Sequence, residues 1–479
     1  MATHGITALG VYVPQPRMDR RVIAEAHSWA FKALAGEAKG EKAFCDFDED
    51  ALTMAVEATR AAVGRTERDR FDRLVLASVT LPFAEPSNSG MLAATLALSD
   101  TVAVTDATGS VRAGSSALLQ ALEAGDQATL VVASDNLRSK PASVQEMRYG
   151  SAAVAIAVGD TDVIARYLGG VSITRPLVER FRLADRDFDY GWEERWIREE
   201  GYLKIMADAV KGMLQDKDIA NDRVRYLLVA PGVAGAGAAM AKRIGLNDVQ
   251  LIEEPQRACG HAGTAAPFLQ LAIALERATP GDVIVLANLS YGCDVLAFEV
   301  TDAVAAFQAV APATAALGRK RLETAYLKYL AFTGGIEPDW GMRSEFDPKT
   351  SLTQAYRVSE QLTAFVAGKC TNCGTVQFPV LAACVSCAST APPLPHPLAD
   401  EPAKVATFTA DWLSFTISPP IHVGLMQFES GARVFMEVAD VAPNDLLPVG
   451  ASVRMVFRRK DEDKLRGYVR YFWKAAPAS

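Results

Sequence analysis

Four cysteines in the last third of the chain have the spacing of a metal site. They form two C-x2-C pairs separated by ten residues: Cys370, Cys373, Cys384 and Cys387. Two such pairs supply four thiolates, which close a tetrahedron around Zn²⁺ and leave no coordination position open for water. The spacing therefore predicts a structural zinc ion, which stabilises the fold of a segment too small to build its own hydrophobic core.

One histidine lies in a loop that suits catalysis. His261 is the centre of Cys259-Gly-His-Ala-Gly263, directly before the helical pattern Thr264–Arg277. A helix N-terminus disfavours an imidazolium, and a neutral imidazole can act as a base or donate a hydrogen bond to an oxyanion. His261 is therefore a candidate catalytic residue, with helix capping as the alternative. Cys259 is either a substitute nucleophile or a small buried apolar residue.

Apolar runs of strand length alternate with helical patterns over residues 1–302. Six segments carry this alternation: Arg73–Thr80, Ser115–Ala124, Thr129–Ser134, Tyr226–Ala230, Thr264–Arg277 and Asp282–Leu289. Continuous apolar strands are typical of a sheet that is covered on both faces. Leu74 matches Leu228 at an offset of 154 residues. The offset from Val131 to Val285 is the same, so the pattern predicts a duplicated α/β unit.

Length and composition narrow the class of protein. A chain of 479 residues suggests about two to four domains. Half of the residues are hydrophobic and 22% are charged, which excludes wholesale disorder. A net charge of −8 argues against nucleic acid as the main partner. No apolar run reaches the roughly 20 residues of a membrane span and no signal-peptide core is present, so a soluble cytoplasmic protein without a membrane partner is expected.

The composition changes twice beyond residue 302. Residues 303–360 are predicted to form a helical connector that contains the helical pattern Leu322–Phe332. The cysteine segment, 361–392, follows it. Short β patterns then predict a small barrel over 393–479. These patterns are Lys404–Thr409, Arg433–Val438, Ser452–Phe457 and Gly467–Lys474.

Three segments of the first 302 residues resemble hydroxymethylglutaryl-CoA synthases of the archaeal and bacterial type. They are Gly5–Pro14, the Gly-x-Ala-Ala segment Gly150–Gly159, and the closing loop and strand Ser290–Phe298. Those enzymes belong to the thiolase superfamily. The resemblance implies its duplicated, five-layered α/β/α/β/α sandwich, with halves at 1–165 and 166–302. It also implies a coenzyme A thioester as substrate and a homodimer.

Residues 361–479 resemble the zinc-ribbon and OB-fold domain that accompanies thiolase-like proteins. Besides the cysteines, five short segments carry this resemblance: Gln377–Pro379, Phe408–Thr409, Pro419–Pro420, Glu429–Arg433 and Tyr471–Lys474. In that family the domain is usually a separate chain bound to a thiolase or synthase subunit. The resemblance therefore implies that the two parts are fused here, and it makes a thiolase chain a candidate partner.

The same resemblance identifies catalytic groups that this sequence lacks. A synthase of that family uses a cysteine, a glutamate and a histidine. The cysteine follows an acidic residue by five positions, and counted from Asp106 this position holds Val111. The glutamate position holds Val79, and the histidine position holds Ala230. The synthase reaction itself is therefore not expected.

Residues near these positions are candidates to replace the missing groups. Ser110 precedes Val111 and is either a substitute nucleophile or a turn serine. Tyr291 and Tyr149 lie at strand ends, where each either packs or supplies a proton for a retro-aldol cleavage that needs no cysteine.

Three residues are predicted to contact the CoA thioester. Arg112 can bind a carboxylate or phosphate, although a surface ion pair is the alternative. Gly260 and Gly263 flank His261 in a loop that is similar to the Gly-His-Pro motif of thiolases, in which the histidine helps to bind the thioester oxygen.

The sequence leaves three functions open. The first is an acyl-CoA-dependent enzyme that makes, breaks or exchanges an acyl group on a β-keto or β-hydroxy acyl substrate without the usual cysteine, with His261 stabilising the enolate. The second is a non-catalytic subunit that binds CoA and partners a true thiolase. The third is a retro-aldolase that acts on a β-hydroxyacyl-CoA.

Overall fold

The computed structural model describes residues 4–125, 127–191, 193–342 and 351–478, which form two compact units. The first unit comprises Met1–Asp46, Asp50–Ala93 and Ser99–Glu337. The second comprises Phe47–Glu49, Ala94–Leu98 and Pro338–Ser479. The division after residue 337 falls inside the predicted connector, and the four boundaries between the five predicted domains remain predictions.

The strands before residue 337 are, in chain order, β1 (Gly5–Tyr12), β2 (Pro16–Asp19), β3 (Glu41–Ala43), β4 (Arg73–Ala77), β5 (Ala103–Ala107), β6 (Thr129–Asn136), β7 (Ser151–Gly159), β8 (Ala165–Thr174), β9 (Arg180–Phe181), β10 (Tyr190–Gly191), β11 (Val224–Ala230), β12 (Gln250–Leu251), β13 (Val283–Leu289), β14 (Gly292–Val300) and β15 (Arg321–Glu323).

The α-helices of the same stretch are α1 (Arg20–Ala26), α2 (Ala51–Ala62), α3 (Asn88–Thr95), α4 (Ala113–Ala124), α5 (Val144–Arg148), α6 (Glu194–Trp196), α7 (Ala207–Asp216), α8 (Ala236–Arg243), α9 (Glu254–Ala258), α10 (Ala266–Arg277), α11 (Val304–Val310), α12 (Pro312–Gly318) and α13 (Tyr326–Thr333). A π-helix, Ile197–Met206, joins α6 to α7. Among the helices of the described residues, none has the length and apolar character needed to cross a membrane.

The main sheet of the first unit consists of two halves with the same strand order. One half is β5-β4-β6-β7-β1 and the other is β12-β11-β13-β14-β8. In both halves the first three strands are parallel, and β7 and β14 run antiparallel to them. The halves join through two residue pairs, Gly5 with Arg166 and Ile6 with Ala165. This repeated order confirms the duplicated α/β unit.

Two helices, one from each half, lie between the halves of the sheet. The buried residues Leu118 and Leu122 of α4 share one apolar core with Phe268 and Ile273 of α10. On the outer faces, α2 packs against β1, β6 and β7, and α7 packs against β8 and β14. The order helix, sheet, helices, sheet, helix is the predicted five-layered sandwich, in which both faces of each half are covered.

The predicted helix at Leu322–Phe332 is wrong at its start. Arg321–Glu323 is a strand that pairs in parallel with β2, and the helix begins only at Tyr326. Leu322 is exposed, whereas Tyr329 and Leu330 are buried. Because Leu322 belongs to an edge strand, its side chain is not part of the apolar face of the helix, although its spacing in the sequence fits that face.

The second unit is rich in strands, as its sequence predicts. Its elements are α14 (Leu352–Arg357), α15 (Ser359–Leu362), β16 (Val366–Lys369), β17 (Val376–Gln377), β18 (Leu394–Pro397), β19 (Ala403–Asp411), β20 (Ile421–Phe428), β21 (Arg433–Glu437), β22 (Ser452–Asp463) and β23 (Tyr468–Pro477). The last five strands form an antiparallel sheet in the order β21-β20-β19-β22-β23. A bridge between Val438 and Ala475 links its two edges, which gives a small barrel. Residues 343–350 of the predicted connector lie outside the described residues.

One buried carboxylate ties together three chain segments of the first unit. Asp135, at the end of β6, is fully buried. Its Oδ1 accepts hydrogen bonds from Ser78 Oγ at 2.9 Å, the Val79 amide at 2.8 Å and Thr80 Oγ1 at 2.9 Å. Its Oδ2 accepts from the Thr264 amide at 2.7 Å and Thr264 Oγ1 at 2.9 Å. The end of β4 and the segment that leads into α10 are thus held to β6.

A second buried aspartate plays the corresponding role for the other central helix. Asp294, on β14, is fully buried. It accepts hydrogen bonds from Ser115 Oγ at 2.8 Å and Ser116 Oγ at 2.6 Å in α4, and from Ser172 Oγ at 2.7 Å in β8. Each half of the duplicated unit therefore uses one carboxylate to hold the central helix of the opposite half.

Replacing Asp135 with alanine should destabilise the protein strongly. The substitution Asp135→Ala leaves the buried amide of Thr264 and the half-buried amide of Val79 without acceptors, so the free energy of unfolding should fall by about 3 kcal/mol. Urea unfolding of the variant and the wild type measures this. Asp100→Ala removes an exposed carboxylate and should change stability by less than about 0.5 kcal/mol. A loss below about 1 kcal/mol in Asp135→Ala would contradict the role of this carboxylate.

Candidate functional site

The site is built where the segment before β7 crosses the loop that contains His261. The His261 amide donates to the Arg148 carbonyl at 2.7 Å, and the Gly150 amide donates to the His261 carbonyl at 2.9 Å. A Cβ atom at Gly150 would lie 1.9 Å from the Cys259 carbonyl oxygen. Only glycine fits this crossing, which places Tyr149 and His261 side by side as a bridge pair.

The two glycines around His261 have backbone roles. Gly260 has a φ of +89° and Gly263 a φ of +56°, in the region that favours glycine. A Cβ at Gly263 would also lie 2.2 Å from Asp135 Oδ2. These positions explain the glycines without a ligand, and a contact between either one and CoA remains a prediction.

His261 has a buried, neutral and unpartnered ring. Only 9% of the residue is exposed, and among the described residues no group hydrogen-bonds to its ring nitrogens. Burial, assisted by the positive charge of Arg180, lowers its pKa to about 3. The ring of His261 is therefore neutral, as predicted, but burial and the charge of Arg180 lower its pKa, not a helix N-terminus. The residues before α10 form a 3-10 turn, Gly263–Ala265, and not the first turn of the α-helix.

Tyr149, beside His261, is held by two residues that sequence reasoning missed. Its hydroxyl donates to Asp189 Oδ2 at 2.6 Å, and Arg180 Nη1 lies 3.4 Å from the same hydroxyl oxygen. Arg180 also forms an ion pair of 3.1 Å with Asp189. Burial raises the pKa of Tyr149 far above its ordinary value, so the phenol keeps its proton. Asp189 Oδ1 is buried and has no hydrogen-bond partner.

The β9–β10 hairpin supplies this pair and also covers the position of the missing glutamate. Arg182, which follows β9, donates from Nη2 to the Val79 carbonyl at 2.7 Å. Val79 thus contributes a backbone carbonyl to the site and no acid. Arg180 and Asp189 come from short strands in a polar stretch, where no hydrophobic period indicates their positions.

The nucleophile position, Val111, is buried at the start of α4, and Ser110 before it belongs to a chain of hydrogen bonds. Ser110 Oγ donates to Ser290 Oγ at 2.9 Å, and Ser290 Oγ donates to Glu179 Oε1 at 2.5 Å. Neither Ser290 nor Glu179 was a candidate from the sequence. Glu179 directly precedes Arg180, so consecutive residues serve the Ser110 group and the Tyr149–His261 group.

The remaining candidates have partners that restrict them. Cys259 is fully buried, its thiol lies 3.1 Å from the Pro255 carbonyl oxygen, and burial raises its pKa to about 11, all of which disfavour a thiolate. Arg112 donates to the Ile173 carbonyl at 2.8 Å and lies 3.7 Å from Asp294. Tyr291 is 49% exposed and has a positive φ of 49°.

A cavity of about 230 Å³ is lined by residues of α8, α9 and α10 and of the segments around them. Its wall combines apolar side chains, among them Val229 and Leu251, with the cations Arg20, Lys39 and Arg148. Gln270, also in the wall, has a buried Oε1 atom without a hydrogen-bond partner. Such a wall suits a ligand with an extended apolar part, amide donors and phosphate charge. Arg148, in its wall, directly precedes Tyr149 in the chain.

The four predicted zinc ligands come together in the second unit. Their Sγ atoms all lie within 4.8 Å of one another. Each pair forms the same turn: the Cys370 amide donates to Thr375 and the Cys384 amide to Ser389, both at 2.9 Å. Four converging thiols in two matched turns fit Zn²⁺, and the described residues hold no other comparable group of metal ligands.

The zinc segment also matches a known family. Residues 364–392 match the family described as ChsH2, rubredoxin-like zinc ribbon domain. This match contains all four cysteines.

The first unit is similar to hydroxymethylglutaryl-CoA synthases. The enzyme of Aeropyrum pernix is 25% identical over 345 residues, which covers 69% of this chain and 94% of the relative. That of Methanocella arvoryzae is 25% identical over 349 residues, covering 70% and 99%.

Solved structures show the same thiolase-like fold. The HMG-CoA synthase PksG of Bacillus subtilis superposes with a TM-score of 0.59 at 17% identity and covers 73% of this chain and 94% of its own. The 3-oxoacyl-(acyl carrier protein) synthase III FabH of Pseudomonas aeruginosa PAO1 gives a TM-score of 0.56 at 18% identity, covering 63% and 99%.

The purified protein should contain about one zinc ion per chain. Cys384→Ser removes one of four ligands and should abolish retention of the metal, measured by inductively coupled plasma mass spectrometry after dialysis. Cys45→Ser changes a buried cysteine outside the zinc segment and should leave the zinc content unchanged. A wild-type protein without zinc after expression in zinc-containing medium would contradict the assignment.

The buried neutral His261 should make stability depend on pH. Its pKa is about 3 in the folded protein, against an ordinary value of 6.5. Below pH 6.5 the unfolded chain binds a proton that the folded protein does not, so stability falls as the pH falls. From about pH 7.5 to about pH 5.5, the wild type should lose about 1.4 kcal/mol more than His261→Asn, measured by urea unfolding. Equal losses in both proteins would contradict the assignment.

Proposed function

We propose that this hydroxymethylglutaryl-CoA synthase-like chain, with its thiolase-like unit and ChsH2-type zinc ribbon, is an acyl-CoA-dependent enzyme. It makes, breaks or exchanges an acyl group on a β-keto or β-hydroxy acyl substrate without a cysteine nucleophile. The observation that carries the proposal is the buried, unpartnered ring of His261. Its ring nitrogens have no hydrogen-bond partner among the described residues, so a substrate oxygen that reaches the ring can accept from its N–H group.

His261 acts as a neutral hydrogen-bond donor. A ring with a pKa of about 3 is a weak base, so it would hold an abstracted proton poorly. Its N–H group, in contrast, can donate to the thioester oxygen and becomes more effective as that oxygen gains charge in an enolate. This role needs no change in the protonation of His261 during turnover, and it serves both condensation and cleavage.

A retro-aldol cleavage of a β-hydroxyacyl-CoA is the second candidate, and Asp189 favours it. In this reaction a base removes the β-hydroxyl proton, the bond between the α and β carbons breaks, and the electron pair forms the enolate at the thioester. Asp189 Oδ1 is a buried acceptor without a partner, and Tyr149 beside it keeps its proton. This pair would receive the hydroxyl proton while His261 donates to the enolate oxygen.

The cavity in the first unit supports a CoA thioester as the substrate. Its apolar and cationic wall suits the pantetheine arm and a phosphate, and Gln270 Oε1 can accept from a pantetheine amide. Arg112 is engaged with Ile173 and Asp294, so its predicted contact with CoA would compete with these partners.

Three further features belong to the proposal. They are a homodimer, a cytoplasmic location and an OB fold for the five-stranded barrel of the second unit. The homodimer and the OB fold rest on the family resemblance, and the cytoplasmic location rests on the sequence pattern. A thiolase chain stays a candidate partner, and dependence of turnover on such a chain would mark the protein as a subunit.

His261→Ala should stop turnover and preserve binding. Wild type and variant are incubated with acetyl-CoA, acetoacetyl-CoA and a β-hydroxyacyl-CoA, while free CoA and cleavage products are followed. Loss of an oxyanion donor should lower kcat at least about 100-fold. The Kd for CoA, measured by calorimetry, should change little.

His396→Ala, which changes a histidine of the second unit, is the control and should keep wild-type rates. Two results would contradict the proposal: full activity of His261→Ala, or CoA binding without turnover until a thiolase chain is added.

A further inference from the structure

We infer that Ser110 replaces the missing cysteine as the acyl acceptor, with Ser290 and Glu179 conducting its proton. The inference deepens the proposed function, because it rests on the same acyl-CoA site. It assigns roles to two residues that no sequence motif indicates.

The direction of the hydrogen bonds supports this assignment. A serine hydroxyl has one proton to donate. The single proton of Ser290 is directed to Glu179 Oε1 at 2.5 Å, so Ser290 can only accept from Ser110, at 2.9 Å. The proton of Ser110 therefore points along a path that ends on a buried carboxylate. A serine that merely closes a turn would have no reason to donate towards a base.

The surroundings of Ser110 suit a nucleophile. Ser110 is half-buried and so reachable, whereas Ser290 and Glu179 are buried behind it. The Arg112 amide donates to Ser110 Oγ at 3.1 Å, and this amide lies at the start of the 12-residue helix α4. A backbone donor and the positive end of a helix both stabilise negative charge on the oxygen.

Ser110 is also connected to the proposed enolate site. Glu179, which ends the proton path, directly precedes Arg180 in the chain. Arg180 contacts Tyr149 and acts electrostatically on His261. One short segment thus holds both the base for Ser110 and the cation that acts on His261.

The proposed step transfers the acyl group from the sulfur of CoA to Ser110 Oγ. Ser110 Oγ forms a bond to the thioester carbonyl carbon, and the bond from that carbon to sulfur breaks. The Ser110 proton passes to Ser290 as the Ser290 proton passes to Glu179. The departing CoA thiolate takes up the proton of the Ser290 hydroxyl, and Glu179 returns its proton to Ser290. The products are O-acyl-Ser110 and free CoA.

The test is acylation followed by peptide mapping on the full-length protein. Wild type is mixed with acetyl-, acetoacetyl-, hexanoyl- and benzoyl-CoA, quenched in acid, digested and analysed by mass spectrometry. An ester on Ser110 is expected, absent in Ser110→Ala and present in Ser99→Ala, which changes a turn serine bonded to Thr101. Glu179→Gln and Ser290→Ala should slow acylation at least about 100-fold.

Replacing Ser110 with cysteine distinguishes a role of Glu179 in proton transfer from a purely structural role. Ser110→Cys should be acylated as a thioester, because a thiol ionises far more readily than a hydroxyl. Adding Glu179→Gln to this variant should then slow acylation less than about threefold, since the base is no longer needed. A purely structural role of Glu179 would slow both backgrounds equally.

Three results would overturn the inference. They are an acyl group on another residue, no acyl group from any of the four thioesters, and CoA release by Ser110→Ala at the wild-type rate. In the last case turnover would persist, so the proposed function would stand while the role of Ser110 would fall. Full activity of His261→Ala with intact acylation of Ser110 would have the opposite meaning: the proposed role of His261 would fall while the role of Ser110 would stand.

Discussion

The Asp135 carboxylate is the interaction on which the site depends most. Five donors converge on its two oxygens, and they come from the end of β4 and from Thr264 before α10. Because the carboxylate is fully buried, losing any of these bonds would leave a polar group without water to replace it. This arrangement leaves no space for a side chain at Gly263, and it fixes where the loop of His261 leaves the sheet.

The duplication provides two such anchors, but the two halves no longer carry equivalent chemistry. Asp294 holds α4 as Asp135 holds the start of α10. At the corresponding loop positions one half presents Val111, which is aliphatic and buried, and the other His261, which is polar and unpartnered. The framework is therefore similar in both halves, but only the loop of the second half carries an imidazole. The polar side chains of the site accordingly lie around Tyr149, Arg180 and His261.

Much of the fold and the zinc site could be predicted from the sequence, because their signals are local. Strands buried on both faces read as continuous apolar runs, and the cysteine spacing fits one metal geometry. Edge strand β15 was missed because exposed Leu322 extends a helical pattern by chance. Asp189, Glu179 and Arg180 were missed for another reason: they lie in or beside a short polar hairpin, and their roles arise only from contacts with distant residues.

The pKa shifts around the site disfavour three of its groups, His261, Tyr149 and Cys259, as bases. Burial and Arg180 leave His261 with a pKa of about 3, and burial keeps the proton on Tyr149 and on the Cys259 thiol. None of these three groups can both hold and release a proton readily near neutral pH. Two carboxylates lie nearby: Asp189, which forms an ion pair with Arg180, and Glu179, which accepts a hydrogen bond from Ser290. In the proposed mechanism, a hydroxyl between the carboxylate and the substrate therefore takes the place of a thiol.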